Sequence, residues 1–246
     1  IGTFVVIDED PVIAGGRHPG HGWVFKTTRH GARPWDEYEA TDAKDAKSFA
    51  LEPGYEDPGS ILLGTENLGQ VFISEDGGET WDLVGDCTDV LTKDTYVIFD
   101  PGYATNNIIY AAGGDIIARC IIDPDADWAD QTWEVICDHD GRARGINAAG
   151  DTALYVLDQE EIGCSGGVLR SLNPDADDAA DVVFERLINK LDLDAELGAR
   201  PGYLWLTCDT SDDGCPENVL WSLELDNGGT DETIWVWEDT LAAPVV

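Results

Sequence analysis

Two acidic stretches of the chain place oxygen-bearing side chains at alternating positions, which is how many calcium-ligating loops are built. Neither stretch carries the glycine or the closing glutamate of an EF-hand loop, so a solvated acidic turn is the competing interpretation. Calcium is therefore the one cofactor that the sequence suggests. The predicted ligands are Asp123, Asp125, Asp127 and Asp130 in the first stretch, and Asn173, Asp175, Asp177 and Asp181 in the second.

Histidine offers little further chemistry. His18 and His21 flank a Pro-Gly pair and could bind a metal, but no third ligand is evident beside them. His139 stands between two aspartates in a predicted turn, where it resembles a catalytic pair by sequence alone. The chain has no nucleophile-elbow motif, no phosphate-binding glycine loop and no dinucleotide fingerprint. We therefore assign no catalytic residue.

Cleavage of a neutral glycan is the enzymatic alternative, because it needs only two suitably separated carboxylates. The 50 acidic residues of the chain neither exclude such a pair nor locate it. Exposed tryptophans would stack on sugar rings, whereas buried ones would pack between structural repeats. The four tryptophans considered for this role are Trp23, Trp128, Trp205 and Trp221.

The charge balance excludes several partners. Fifty acidic residues against 14 basic ones give a net charge of −36, which opposes binding to nucleic acid or to an anionic membrane surface. No apolar run approaches the roughly 18 residues that cross a bilayer as a helix, so direct membrane insertion is not expected. Such acidity suits a protein of high-salt surroundings, a calcium-binding surface protein, or a protein kept soluble by charge.

Six cysteines, an even number, are compatible with three disulfides and an oxidising compartment. Cys208 and Cys215 bracket a short acidic loop, so we predict a disulfide between them. No Cys-x-x-Cys pair suggests a zinc site. The pairing of the remaining four stays open, and they are Cys87, Cys120, Cys137 and Cys164.

The octet Ser74-Glu-Asp-Gly-Gly-Glu-Thr-Trp81 must form a tight turn between two strands. Phe72 and Ile73 lead in as strand residues, and Leu83 follows on the other side. Its aspartate and glycines supply side-chain-to-backbone hydrogen bonds and positive φ angles, while its tryptophan can bury a ring beside the hairpin. The octet is therefore a signal about fold rather than about catalysis.

With the form S-x-D-x-G-x-T-W, the octet resembles the Asp-box, or BNR repeat, of a β-propeller family. The resemblance implies a turn that closes a propeller blade, with structural roles for Ser74, Asp76, Gly78, Thr80 and Trp81. Proteins with this repeat include sialidases, xyloglucan-cleaving glycosidases, sortilin-type receptors and photosystem assembly factors. The Arg-Ile-Pro motif of sialidases is absent, and the net charge would repel an anionic sugar.

A repeat of 45–50 residues emerges when the octet is taken as its anchor. Phe49–Tyr55 recurs as Val97–Tyr103, and Pro201–Tyr203 echoes both. We predict an all-β fold, a β-propeller of about five four-stranded blades, either complete or part of a larger ring or multi-domain chain. The predicted domain covers residues 1–242, with 243–246 as a tail or a linker to a following module, and its blades are about 1–44, 45–92, 93–143, 144–190 and 191–242.

These features together predict a non-catalytic extracellular propeller that serves as a structural or binding module of a cell-surface assembly, such as a surface layer, sheath or adhesin. Its expected partners are other copies of itself, cell-envelope proteins and, less directly, glycans. The alternatives are a glycoside hydrolase acting on neutral glycans, and a propeller receptor or assembly factor that grips a protein partner. Because the chain begins with isoleucine and contains no methionine, we expect it to be part of a longer product.

Overall fold

A computed structural model places most of the residues that it describes in β-strands. It describes residues 3–6, 12–18, 21–29, 31–41, 45–139, 141–150, 153–159, 167–189, 201–208, 217–224 and 234–241. Strands predominate among the described residues, and the helix α1 (Tyr103–Asn106) is a single turn, so the predicted all-β class is confirmed. The chain divides into two compact units, Ile1–Val135 and Ile136–Val246.

Three antiparallel sheets begin in the first unit, each formed by four strands in chain order. The first contains β1 (Thr3–Val6), β2 (Val12–His18), β3 (His21–Thr27) and β4 (Asp36–Thr41). The second contains β5 (Ala46–Leu51), β6 (Ile61–Thr65), β7 (Val71–Ser74) and β8 (Asp82–Leu83). The third contains β9 (Thr95–Phe99), β10 (Ile108–Gly113), β11 (Ile116–Ile121) and β12 (Trp133–Asp138), the last of which crosses into the second unit.

The middle strands of this unit are buried along their whole length. Every residue of β6 and of β10 is buried, which explains why both read as continuous apolar runs rather than as alternating ones. Ile61 and Leu63 pack toward the first sheet, whereas Leu62 packs into the core shared with the third sheet. The sheets are therefore stacked face to face, and β1, β5 and β9 lie next to one another along the stack.

The second unit contains a four-stranded sheet and a three-stranded one. The fourth sheet is formed by β13 (Arg142–Ala149), β14 (Ala153–Gln159), β15 (Gly167–Ser171) and β16 (Phe184–Asn189). The fifth is formed by β17 (Pro201–Cys208), β18 (Asn218–Glu224) and β19 (Ile234–Asp239). Tyr155 and Leu157 of the fourth sheet pack against Leu204 and Leu220 of the fifth.

Sheet four begins at Arg142, near the approximate blade boundary expected at 144, where Arg142 pairs with Gln159 of β14. Within the described residues the fifth sheet has three strands rather than the four expected of a blade. Among those residues, no helix is long and apolar enough to cross a membrane.

The cysteines also depart from the expected pattern. Cys87, Cys120 and Cys137 are free thiols, so three disulfides cannot form among the six cysteines in this structure. Cys87 and Cys120 lie fully buried in the core of the first unit, where burial raises the pKa of the former to about 11 and of the latter to about 12. Cys164 and Cys215 lie outside the described residues, and with them the predicted Cys208–Cys215 disulfide.

Candidate functional site

The octet forms a turn in which one carboxylate gathers most of the hydrogen bonds. Asp76 Oδ1 accepts from the backbone N–H groups of Glu79 (2.9 Å) and Thr80 (2.8 Å), while the Thr80 hydroxyl donates to Oδ2 (2.6 Å). Ser74 Oγ donates to Asp76 Oδ1 and accepts from the N–H of Gly78, both at 2.8 Å. Gly77 and Gly78 have φ angles of +71° and +95°, which only glycine adopts without strain.

These contacts leave Asp76 committed to the fold. Partial burial raises its pKa, but the hydrogen bonds from Thr80, Ser74 and Glu79 outweigh that effect, so the pKa of Asp76 lies below its usual value. Trp81 donates its indole N–H to the carbonyl of Gly78 at 3.1 Å. The Asp76 carboxylate thus accepts hydrogen bonds within its own turn, and its role is structural.

The same turn also connects neighbouring sheets. Lys26 of β3 forms a 2.9 Å salt bridge with Asp57, and a side chain at Gly77 would collide with both groups. On the other side, the indole N–H of Trp128 donates to the carboxylate of Glu75 at 3.1 Å. The octet therefore bonds to the third sheet's segment through Glu75, and its Gly77 lies against the salt bridge that joins the first and second sheets.

The first predicted calcium turn holds an amide side chain in its interior. Gln131 is buried and donates through Nε2 to the carbonyl oxygens of Asp123 (2.9 Å) and Ala126 (3.4 Å). Its Oε1 accepts from the N–H of Asp123 at 2.9 Å, and the Asp123 carboxylate accepts from the N–H of Asp125. The uncharged amide of Gln131 therefore donates hydrogen bonds to carbonyl oxygens that could otherwise have served as ligands for a cation.

The second predicted calcium turn is closed in the same way. Asn173 donates through Nδ2 to the carbonyl of Asp181 at 2.9 Å and accepts from the N–H of Val183 at 3.0 Å. Across the described residues, no three His, Cys, Asp or Glu side chains converge as a metal site. The structure thus offers the calcium hypothesis no geometric support, and a calcium titration remains its test.

His139 is buried beside a carboxylate of β14. Its Nδ1 lies 3.4 Å from Asp158 Oδ1, and the same carboxylate accepts from Arg186 at 2.9 Å and from the N–H of Arg142 at 2.9 Å. Burial raises the pKa of Asp158, but His139 and Arg186 outweigh it, so that pKa lies below the usual range. Asp140, the other half of the suspected pair, lies outside the described residues.

The remaining histidines form no described site. His18 ends β2 and His21 begins β3, where they pair in register across the hairpin. Nothing is described of their side chains, and His30 lies outside the described residues.

A buried tyrosine–arginine pair in the third sheet was not predicted from the sequence. Tyr110 and Arg119 face each other across β10 and β11, and both are fully buried. The Tyr110 hydroxyl donates to Asp100 at 2.8 Å, and Arg119 Nε donates to Glu134 of β12 at 3.0 Å. The ion pair balances a guanidinium that would be costly to bury alone.

The fourth sheet repeats this arrangement. Tyr155 and Arg170 face each other across β14 and β15, and Arg170 Nε donates to Glu185 of β16 at 2.9 Å. Asp239 of β19 accepts from the Tyr155 hydroxyl at 2.7 Å and from Arg170 at 2.5 Å. In both sheets the arginine precedes its glutamate by 15 residues, a spacing that could have revealed the repeat in the sequence.

One cavity of about 710 Å³ lies against the first sheet. Ala14, Phe25 and Glu37 form a row across β2, β3 and β4, and Trp35 and Arg33 complete the lining together with Pro34. The volume is that of a small-molecule pocket, and its walls combine aromatic rings with two groups of opposite charge. Glu37 is the one carboxylate among these lining residues.

The four tryptophans proposed for sugar stacking have different environments. Trp23 and Trp128 are half-buried, and Trp128 is tied to Glu75 as described above. Trp205 is 47% exposed, and Trp221, its neighbour across β17 and β18, is half-buried with its indole N–H bound to Thr207 Oγ1 at 2.6 Å. Only the latter two therefore share a face of one sheet.

An apolar row crosses the outward face of the fifth sheet. Trp205, Trp221 and Val236 stand opposite one another on β17, β18 and β19, and residues directly opposite in antiparallel strands share a face. Val236 is 49% exposed, and Ile234, two positions earlier on the same face, is 62% exposed. The opposite face carries Leu204 and Leu220, which are buried in the core.

Comparison with known proteins identifies the fold. No family model matches the chain, and no curated protein matches it. A GH74 enzyme from Niastella koreensis matches with a TM-score of 0.60 at 17% identity, over 92% of this chain and 36% of the other. PorZ, an essential surface component of the type-IX secretion system of Porphyromonas gingivalis, matches with a TM-score of 0.57 at 14% identity, over 92% and 32%.

The structure of U3-55K matches with a TM-score of 0.62 at 10% identity, over 96% of this chain and 60% of the other. The GH74 enzyme and PorZ are β-propeller proteins, so the fold of this chain is of the propeller type. The chain spans between about a third and three-fifths of these structures. At such identities the likeness concerns the fold alone.

Proposed function

We propose that this chain is a non-catalytic β-propeller segment, with its five sheets as successive blades, that serves as a structural or binding module of an extracellular surface assembly. The observation that carries the proposal is the apolar row on the outward face of the fifth sheet. A protein with a net charge of −36 has abundant carboxylates with which to cover its surface. It nevertheless leaves Trp205, Val236 and Ile234 between 47% and 62% exposed on one face.

The polar groups support a binding role over a catalytic one. Asp76, Asp158 and Arg170 have the charge that catalysis uses, but each is held by contacts that stabilise a turn or a sheet. Their perturbed surroundings are those of structural ion pairs. In this proposal the contact surface is apolar, and the surrounding carboxylates disfavour anionic partners and keep the protein soluble.

Surface-layer, sheath or adhesive assembly is the most concrete version of the proposal. The likeness to PorZ, described as a bacterial surface component, is compatible with that setting at the level of fold. The partners would be further copies of the chain or other envelope proteins. The free, buried thiols of Cys87 and Cys120 remain compatible with an extracellular location, because burial shields them from oxidants.

Association and catalysis can be tested on the same preparation. We expect the purified protein to bind cell envelopes isolated from its source, or to self-associate in sedimentation velocity. A Trp205→Lys variant should lose this association, and a Val135→Lys variant, at a 45% exposed position on β12 of the third sheet, serves as the control. Turnover of any neutral polysaccharide in a broad panel, abolished by one carboxylate change, would replace the proposal with the hydrolase alternative.

The cavity of the first sheet is the one observation that favours this alternative. Phe25 and Trp35 provide rings on which a sugar could stack, and Glu37 provides a carboxylate. Glycosidases need two carboxylates separated by about 5 to 10 Å, and the lining residues that the structure describes supply one. The pocket is therefore better suited to holding a ligand than to cleaving one.

A further inference from the structure

The fifth sheet ends on a strand whose sequence is unusual for an edge. Within the described residues, β19 pairs with β18 and with no other strand, whereas each of the other four sheets contains four strands. The strand begins Ile234-Trp-Val-Trp237, without proline or lysine. Proteins commonly protect exposed edges with charges, proline or bulges, because open backbone groups recruit another strand.

The side chains of β19 are open on both faces. Ile234 and Val236 are 62% and 49% exposed on the outward face, and Trp237 is 36% exposed on the opposite one. Much of these three side chains is therefore left uncovered by the part of the chain that the structure describes. An added strand would therefore find apolar contacts on either side, in addition to the backbone hydrogen bonds of the sheet.

We propose that β19 receives an extended segment of a partner protein as the fourth strand of the fifth sheet. This inference rests on the proposed binding role and names the surface that performs it. In an antiparallel addition, the partner residue opposite Val236 would extend the row that runs from Trp205 through Trp221. That position should be apolar, and the segment should alternate so that its polar side chains avoid this face.

Charge selects the kind of partner. Glu238, the last residue but one of the strand, is exposed, and the chain as a whole carries a charge of −36. A second copy of the chain would bring the same charge to the interface, whereas a segment flanked by lysine or arginine would be attracted. The partner strand is therefore apolar and alternating, with basic residues on its flanks.

A short synthetic peptide of alternating valine and threonine, flanked by lysines and labelled with fluorescein, tests the proposal by anisotropy. We expect saturable binding to the wild-type chain, weakened by salt but not abolished. A peptide of the same length and with the same flanking lysines, but with proline at alternate positions, should not bind, because it cannot complete the backbone hydrogen bonds.

Val236→Lys should reduce the affinity by at least about tenfold, which corresponds to about 1.4 kcal/mol. Val135→Lys is the matched control, since Val135 is 45% exposed on β12, the last strand of the third sheet. Circular dichroism and thermal melting of both variants establish that the fold is retained. Equal binding by the two variants, or by the proline peptide, would overturn the proposal.

Two further outcomes have defined meanings. A wild-type dimer that dissociates in the Val236→Lys variant would identify a second copy as the occupant and refute the basic partner strand. If the peptide fails to bind while envelope association survives in Val236→Lys, only this inference fails. If wild type shows neither peptide binding nor association, the proposed binding role fails as well.

Discussion

Replacing Asp76 by alanine tests whether the octet is structural. The change removes an acceptor for two backbone N–H groups and for the hydroxyls of Ser74 and Thr80. Hydrogen bonds to a charged group contribute about 1.5–3 kcal/mol each when they cannot be replaced. The Glu79 and Thr80 donors are exposed and can bind water instead, whereas Ser74 is buried. We therefore expect a loss of about 2–3 kcal/mol of unfolding free energy, well below the sum of four bonds.

Asp86→Ala is the matched control, because the Asp86 carboxylate accepts only from the N–H and hydroxyl of Thr88 at an exposed position. Its expected cost is much smaller than that of Asp76→Ala, because water can replace both contacts at an exposed position. Urea unfolding followed by tryptophan fluorescence measures both variants at neutral pH. Equal losses in the two variants would refute the structural role assigned to the octet.

The pH dependence of the Asp76 effect has a definite sign. The pKa of Asp76 is lower in the folded protein than in the unfolded chain, so its contribution is present above the unfolded value of about 4. That contribution is lost as the pH falls through the lower, folded value. The difference in stability between wild type and Asp76→Ala should therefore shrink below pH about 4. A difference that grows with acidification would contradict the reasoning.

Three further predictions concern the other groups. Millimolar calcium should change the melting temperature no more than the same concentration of magnesium does, because amide side chains already occupy both acidic turns. A rise in melting temperature that is specific to calcium would establish a site. Arg170→Ala should cost about 3–5 kcal/mol because it strands the buried Asp239, while Arg170→Met with Asp239→Leu should recover much of that loss in thermal melting. Cys87 and Cys120 should resist a thiol reagent in the native state, and because their pKa values are raised to about 11 and about 12, stability should fall as the pH rises above about 9; rapid native labelling would contradict their burial.

The sequence predicted the parts of the fold that depend on local chemistry. The octet's aspartate and glycines indicate a turn because their hydrogen bonds and φ angles span only a few residues. The β6 and β10 strands were visible as apolar runs for a similar reason. These local signals, repeated at a regular interval, were sufficient to indicate an all-β repeat architecture.

Contacts between distant residues were beyond such reasoning. Arg170 and Asp239 are 69 residues apart, and the sequence near either residue does not predict their contact. Gln131 is an ordinary polar residue until folding places its amide inside the turn that begins at Asp123. The cysteine count likewise suggested disulfides, although Cys87 and Cys120 lie in the core as free thiols.

Some residues of this chain lie in surroundings that their type does not usually favour. Arg119 and Arg170, which by type belong at the surface, are at most 2% exposed and balance their charge within the sheets. Trp205 and Ile234, which by type belong in the core, are 47% and 62% exposed on the fifth sheet. Burying charge costs free energy that the internal ion pairs must offset, whereas exposing apolar surface brings no folding benefit. The proposed binding role gives this exposed apolar face a physical reason, because contact with a partner would remove it from water.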